Sequence, residues 1–198
     1  MTRARTPRIP RIVWIPVALL AAGAILVLAT RPLGGGQPDA SFYAVRSPAP
    51  GIQLGEIAPG TAGAPGDPPL VLTDLDGNPV TLADYDGQPL WIIFWRADCE
   101  PCEAEDPAVE AAYAAHQGDG LAIVGINAED SLEVASEYLA RRPVGYPVAV
   151  DPTTSWRSTY GIWGEPTHYF LTPDGVIQVR NFGPLTPDQI EQNLDRIL

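Results

Sequence analysis

The sequence predicts an α/β domain, a central mixed sheet flanked by helices, entered through an N-terminal hairpin and attached to a single N-terminal transmembrane helix. Two continuous apolar runs rich in β-branched and aromatic residues, LWIIFW (90–95) and LAIVGIN (121–127), read as buried strands. Each is followed by a helical segment, which sets the alternation of an α/β layout. Turn signals, DGN at 76–78 and PDG at 173–175, interrupt strand-like stretches and mark hairpins.

Residues 12–30, IVWIPVALLAAGAILVLAT, are uncharged and apolar. That length suits a bilayer-spanning helix, which takes about 20 residues. Four Arg precede the run and Arg31 follows it, so the positive-inside bias leaves residues 1–11 as a cytoplasmic basic tail. Everything after Arg31 is then extracytoplasmic, in a single-pass protein of the cell membrane. A cleaved signal peptide is the rival reading, but hydrophobic cores of such peptides usually run only about 7–15 residues. No small-x-small site ends this run, and no cysteine follows it to take a lipid.

Residues 31–69 are dense in Gly, Pro, Ala and Ser, a composition that buries too little apolar surface to fold alone, and they read as a tether. Within it only FYAV (42–45) has the look of a short packed strand. The domain proper spans 70–198. LVLTDL, the DGN turn and PVTL form the first hairpin; LWIIFW is the central strand; Cys99 to about His116 is a helix whose early turns carry the acids that a helix dipole favours. LAIVGIN is the next strand, and SLEVASEYLARR (131–142) an amphipathic helix capped by Ser131. PVAV (147–150), HYFLT (168–172) and VIQVRN (176–181) are strands, and TPDQIEQNLDRIL is a closing helix capped by Thr186. There is no internal repeat.

Charge narrows the function. The first 31 residues hold 5 of the 12 Arg and no acid, so the remainder sets 7 Arg against 24 acids, a net of −17. Such a body is a poor ligand for nucleic acid or an anionic membrane surface.

The chain has two cysteines, both in WRADCEPCEAEDP (95–107). Outside the cytoplasm thiols tend to be oxidised, so this pair needs a chemical explanation. C-x-x-C at the start of a helix after a buried strand places Cys99 exposed at the helix N-terminus and Cys102 almost one turn inward. That arrangement suits thiol-disulfide exchange, the outer sulfur attacking a substrate disulfide and the inner one resolving the mixed disulfide. A purely structural disulfide is the bland alternative, weakened because so short a loop removes little chain entropy. A zinc site needs about four ligands, and two Cys with two His are all the chain offers.

WRADCEPCEAEDP together with GEPTHYFLTPDG (164–175) resembles the thioredoxin-like fold, and within it the membrane-anchored thiol-disulfide oxidoreductases of the TlpA/ResA type. LGEIAPG and LTDLDGNPVTLADYDGQPLWIIFW extend the match to about residues 54–198, with TAGAPGDPP (61–69) longer than the pattern. The resemblance implies that Pro166 is a cis proline beside Cys99 and Cys102, and that Glu165, Pro166 and Thr167 bind substrate. Glu165 is a charged choice there and suggests a groove for basic peptides or metal-bearing partners. Thioredoxin's buried Asp is replaced here by Ile93, whereas TlpA/ResA-type proteins carry a Glu at the place of Glu105. Independently, Glu105 lies three residues after Cys102, on the face continued by Val109 and Ala112. Desolvation there is expected to raise its pKa and fit it to exchange a proton with Cys102.

Asp98 stands where most relatives have Trp. With Glu100 it opposes a Cys99 thiolate, while the helix dipole and Arg96 favour one; the acids are expected to win and to bias the pair towards donating electrons. Trp95 is expected under the active-site loop and Pro101 between the cysteines, with Pro107 kinking the helix. His116 reads as a dipole partner. No metal and no cofactor beyond a redox-active Cys99–Cys102 disulfide is expected.

The function expected is therefore an extracytoplasmic thiol-disulfide oxidoreductase, working as a reductase. By resemblance, its substrates are apocytochrome c haem-binding cysteines or copper-site cysteines in respiratory assembly, and its electrons come from a membrane thiol reductant of the CcdA/DsbD type. A copper-binding assembly chaperone using Cys99, Cys102 and His168 is the alternative, although copper chaperones of this fold usually space their cysteines three apart. A disulfide-forming oxidase also stays open. A peroxidase is a poor fit, since Arg96 stands where its Thr should be.

Overall fold

A computed structural model describes residues 52–61, 72–151 and 153–198. The expected basic tail, the 12–30 anchor, the FYAV strand and most of the tether lie outside the described residues. Among the described residues no helix is long and apolar enough to cross a membrane.

The elements are β1 (Leu72–Asp74), β2 (Pro79–Val80), β3 (Leu90–Trp95), α1 (Glu100–His116), β4 (Ala122–Asn127), α2 (Leu132–Arg141), β5 (Val148–Val150), α3 (Ser155–Thr159), β6 (Thr167–Leu171), β7 (Ile177–Phe182) and α4 (Pro187–Leu194). They build one seven-stranded sheet in the order β2-β1-β5-β4-β3-β6-β7. β3, β4 and β5 run parallel, while β1, β6 and β7 are antiparallel to their neighbours. This is the thioredoxin-like fold, with the mixed sheet and helices that the sequence predicts.

Every residue of β3 and β4 is buried, because helices cover both faces of the sheet. The strand period of two still sorts their side chains. Leu90, Ile92 and Phe94 enter one core with Trp156, Tyr160 and Tyr169, and Trp91 and Ile93 enter a second with Val109, Ala112, Phe170, Ile190 and Leu194. The second core lies under α1 and α4, and so fixes the height of the active-site helix above the sheet. α1 runs through Pro107 without interruption. α2 is capped by Ser131, whose hydroxyl accepts the Val134 N–H at 3.3 Å. Thr186 and Gln189 form a reciprocal capping box on α4.

Three local features differ from the sequence reading. The first hairpin has its positive φ at Gly77 (88°), as Asp-Gly predicts, but it turns over 75–77, one residue before DGN: Asp74 N–H donates to Asn78 O at 2.9 Å, Gly77 N–H reaches Asp74 O at 3.1 Å, and the Asp74 carboxylate holds the amides of Asp76 and Asn78. Residues 52–61, inside the stretch read as tether, pack on the domain. Gly55 and Ala58 donate to Ile177 O and Gly175 O at 2.8 and 2.9 Å, and Ile52 and Ala58 are buried, which covers the free edge of β7. The third is α3, a single helical turn whose start is bound by buried Asp151 through the Trp156 N–H at 2.8 Å. It is too short to show a helical period.

Candidate redox site

The site grows from the C-terminal ends of the parallel strands β3 and β4. Chain leaving β3 turns at Asp98, which takes φ 54°, and Cys99 then caps α1, its sulfur accepting the Cys102 N–H at 3.3 Å. Pro101 sits in the first turn of the helix, where a missing N–H costs nothing. Cys99 and Cys102 are joined as a disulfide, with Cα atoms 5.3 Å apart.

The loop before Cys99 is braced from β4. Ala97 N–H donates to Asp130 Oδ2 at 2.6 Å, and the Asn127 side-chain amide donates to the same oxygen at 2.8 Å. Asn127 in turn accepts the Asp130 N–H at 2.8 Å. Sequence reasoning passed over Asn127 and Asp130; the signal was a polar N-A-E-D run directly after a fully apolar strand, an Asx-type turn at the catalytic edge of the sheet.

Burial corrects the expected exposure of the two sulfurs. Cys99 is 1% exposed and Cys102 8%, so in the disulfide form the first cysteine is not the open one. The left-handed turn at Asp98 folds Cys99 towards the sheet, into a cluster with Trp95, Ala97, Tyr138, Leu139 and Val150, while Asp98 and Glu100 stay in solvent. Trp95 does underlie this loop, its ring 5.6 Å from that of Tyr138. Gly125 makes room for it: a Cβ there would lie 3.2 Å from Trp95 Nε1 and 3.1 Å from Tyr146.

The Glu165–Pro166 peptide is cis, as the resemblance implies. The side chains of its neighbours are held within the protein. Glu165 has its side chain only 4% exposed and is bound by Arg157, with Arg96 Nε at 3.8 Å. Glu129 completes a four-charge cluster, 3.6 Å from each Arg. The Glu165 charge is thus spent internally and does not offer a groove to basic peptides. Arg96 is likewise drawn away from supporting a Cys99 thiolate. Thr167 is buried, its hydroxyl donating to Gly164 O at 2.6 Å. The exposed member of this loop is Trp163, at 76%.

A narrow apolar cleft runs beneath α1, lined by Cys102, Glu105, Asp106, Tyr138, Tyr146 and Pro166 among others. Glu105 is 4% exposed, on the Cys102, Val109 and Ala112 face that the helical spacing predicts. Its Oε2 accepts the Leu185 N–H at 3.1 Å and lies 3.4 Å from His168 Nε2, and its Oε1 has no hydrogen-bond partner. Asp106, missed in the sequence because it reads as one more surface acid, has its pKa pushed up to about 6, chiefly by burial and against the pull of Arg142. Glu103 is taken by Arg142 and by the Tyr138 hydroxyl at 3.1 Å, and the Tyr138 phenol is pushed up to about 12 by burial and then by Glu103. Glu110 accepts the Gly145 N–H at 2.7 Å. His168 is fully buried and accepts the Trp91 indole N–H at 3.3 Å. Among the described residues no group of three or more His, Cys, Asp or Glu is arranged to hold a metal ion. His116 is more than a dipole partner: it ties α1 to α4 through Glu191 at 3.0 Å and contacts Asp119 at 3.4 Å.

The AhpC/TSA family model matches residues 65–180. The thiol-disulfide oxidoreductase ResA of Bacillus cereus (strain ZK / E33L) is 29% identical over 146 residues, covering 74% of this chain and 79% of its own. ResA of Geobacillus thermodenitrificans is 30% identical over 130 residues, 66% of this chain and 75% of its own. Among solved structures, a Chlorobium tepidum protein assigned as the thiol:disulfide interchange protein DsbE superposes with a TM-score of 0.61 at 25% identity, over 72% of this chain and 99% of that one. StoA from Bacillus subtilis gives a TM-score of 0.54 at 24% identity, over 63% and 94%.

Proposed function

Since the chain belongs to the AhpC/TSA family and is a thiol-disulfide oxidoreductase, we propose that it works as a reductase of protein disulfides outside the cytoplasm, tethered by residues 12–30. The direction rests on one observation: Asp98 and Glu100 flank Cys99 in solvent, while Arg96, the cation nearest in sequence, is committed to Glu129 and Glu165. Stabilising a thiolate stabilises the reduced pair, so acids without a compensating cation favour the disulfide and make the dithiol a better electron donor.

In the reduced protein the Cys99 thiolate attacks a substrate disulfide. The substrate S–S bond breaks, one substrate sulfur leaves as thiolate and takes a proton from water, and a mixed disulfide remains. The Cys102 thiol then passes its proton to Glu105, and its sulfur attacks that of Cys99. The mixed disulfide breaks as Cys99–Cys102 forms, the second substrate sulfur leaves as a thiolate and takes the proton held by Glu105, and the substrate departs as a dithiol carrying two electrons. A membrane dithiol carrier of the CcdA/DsbD type supplies the two electrons and two protons that reset the pair. With both cysteines buried in the disulfide form, that carrier gains access through local opening. Cysteines of apocytochrome c or of respiratory copper sites are the substrates that the TlpA/ResA resemblance supports.

The test is the reduction potential of the full chain in mild detergent, equilibrated with dithiol or glutathione buffers, with free thiols counted by mass. A value near or below about −270 mV supports the reductase, and one near about −120 mV overturns it in favour of an oxidase. Asp98→Asn keeps a residue that tolerates positive φ and removes one exposed charge, so the potential should rise by about 5–20 mV. A fall, or no change, would remove the electrostatic basis of the direction.

A further inference from the structure

β3 and β6 pair antiparallel with Ile93 opposite His168 and Trp91 opposite Phe170. Trp91 and His168 are therefore diagonal neighbours on one face of the sheet, the face that α1 covers. Their rings lie 5.9 Å apart, and the Trp91 indole N–H donates to His168 Nδ1 at 3.3 Å. Both residues are fully buried.

An indole N–H can only donate, so the Nδ1 of His168 must be bare. The neutral ring then carries its proton on Nε2, and that atom stands 3.4 Å from Glu105 Oε2. Charging the ring would set two N–H groups against each other and strand the indole donor in a dry core, a costly arrangement. Nε2 has no aligned hydrogen-bond partner, and neither has Glu105 Oε1. His168 Nε2 thus stands beside the carboxylate of Glu105, a residue that lines the same cleft as Cys102. A small rotation of the carboxylate about its terminal bond converts the His168 contact into a hydrogen bond.

The geometry points to His168, oriented by Trp91, as a positioning residue for Glu105. It presents one fixed N–H to Oε2, favours the carboxylate form and leaves Oε1 open to exchange a proton with Cys102. This rests on the reading of Glu105 as the proton partner of Cys102. Asp106 on α1, Tyr146 in the loop before β5 and the Leu185 amide before α4 act on the same carboxylate and set its background, while Glu103, Glu110, Tyr138 and Arg142 surround Asp106 and Tyr146 next to it. Glu191 of α4 lines the groove on the other side of Glu105 and is paired with His116. His168 is the member whose proton is locked in place by a third residue.

The experiment follows the pH dependence of thiolate absorbance in the reduced full chain, where Glu105 and Cys102 titrate as a coupled pair. His168→Leu should raise the lower apparent pKa of that pair by about one pH unit, a tenfold change in proton affinity. His168→Gln can accept from Trp91 and donate to Glu105 through one amide, and should restore the wild-type profile. Trp91→Phe, which frees the tautomer, should broaden or shift the profile in the same direction as His168→Leu. In a Glu105→Gln background, replacing His168 should have no further effect. If Glu105→Gln moves the profile and His168→Leu does not, the positioning role is refuted while the function of Glu105 stands. If Glu105→Gln itself moves nothing, the underlying assignment of Glu105 fails.

Discussion

Removing the carboxylate of Asp130 should cost the domain about 2–3 kcal/mol, as the following geometry argues. Its Oδ2 receives two donors, the Ala97 amide at 2.6 Å and the Asn127 side chain at 2.8 Å. Hydrogen bonds to a charged acceptor contribute about 1.5–3 kcal/mol each, but Asp130 is only partly buried and water can partly replace it at the Ala97 amide. The loss therefore falls below the sum. With an m-value of about 2 kcal/mol/M, Asp130→Ala should lower the urea midpoint by roughly 1–1.5 M. Asp130→Asn keeps one acceptor oxygen without its charge and should fall in between. The effect extends to chemistry, because the braced segment is the one that delivers Cys99 to the helix N-terminus. If oxidised and reduced proteins lose stability by different amounts, the potential must move by about 30 mV for each 1.4 kcal/mol of difference. Urea titration of both redox forms, with the potential measured in parallel, closes that cycle. A midpoint within about 0.25 M of wild type would refute the brace, being worth only about 0.5 kcal/mol.

Asp106 and His116 both favour the folded state more at low pH, for different reasons: burial penalises the charge of Asp106, whereas the charge of His116 is paired. Burial holds Asp106 at about 6 against 3.8 for the free group, so the folded state binds the extra proton and stability declines as pH rises through about 6. Asp106→Asn should leave the protein unchanged at low pH and stabilise it above about pH 6, by about 1 kcal/mol once the solvent-exposed half of the side chain is allowed for; equal midpoints at neutral pH would contradict the raised pKa. His116 is raised above its usual 6.5, first by its bond to Glu191 and also by Asp119. Its contribution is present below the unfolded pKa and is lost as pH rises through the folded one, so His116→Gln should destabilise more at about pH 6 than at about pH 9 in thermal melts, and a deficit independent of pH would show that the imidazolium does not tie α1 to α4.

What was legible in the chain was periodic or local. LWIIFW, LAIVGIN and the caps at Ser131 and Thr186 announce themselves within a few residues, and the spacing of Cys102, Glu105, Val109 and Ala112 is enough to aim Glu105 inward. The misreadings at the site other than the burial of Cys99 concern charge, whose effect depends on partners outside the local sequence. Asp98, Glu100, Glu103, Glu105 and Asp106 look like one cloud of negative charge around two thiols. Folding divides that cloud by dielectric and by partner. Asp98 and Glu100 are in water, where screening weakens them; Glu103 is compensated by Arg142; Glu105 is enclosed; Asp106 sits half-buried with a titration point near 6. Glu165 was taken for a charge on display because the sequence does not show that Arg157 of α3 and Arg96 of the loop after β3 converge on it. The same convergence removes Arg96 from the thiolate's side of the balance. On the proposed reductase reading, the bias owes less to the number of acids than to the commitment of Arg96 to Glu129 and Glu165, and freeing Arg96 is the stronger lever: replacing Glu129, which shares Arg96 with Glu165, should raise the measured reduction potential more than replacing either exposed acid would.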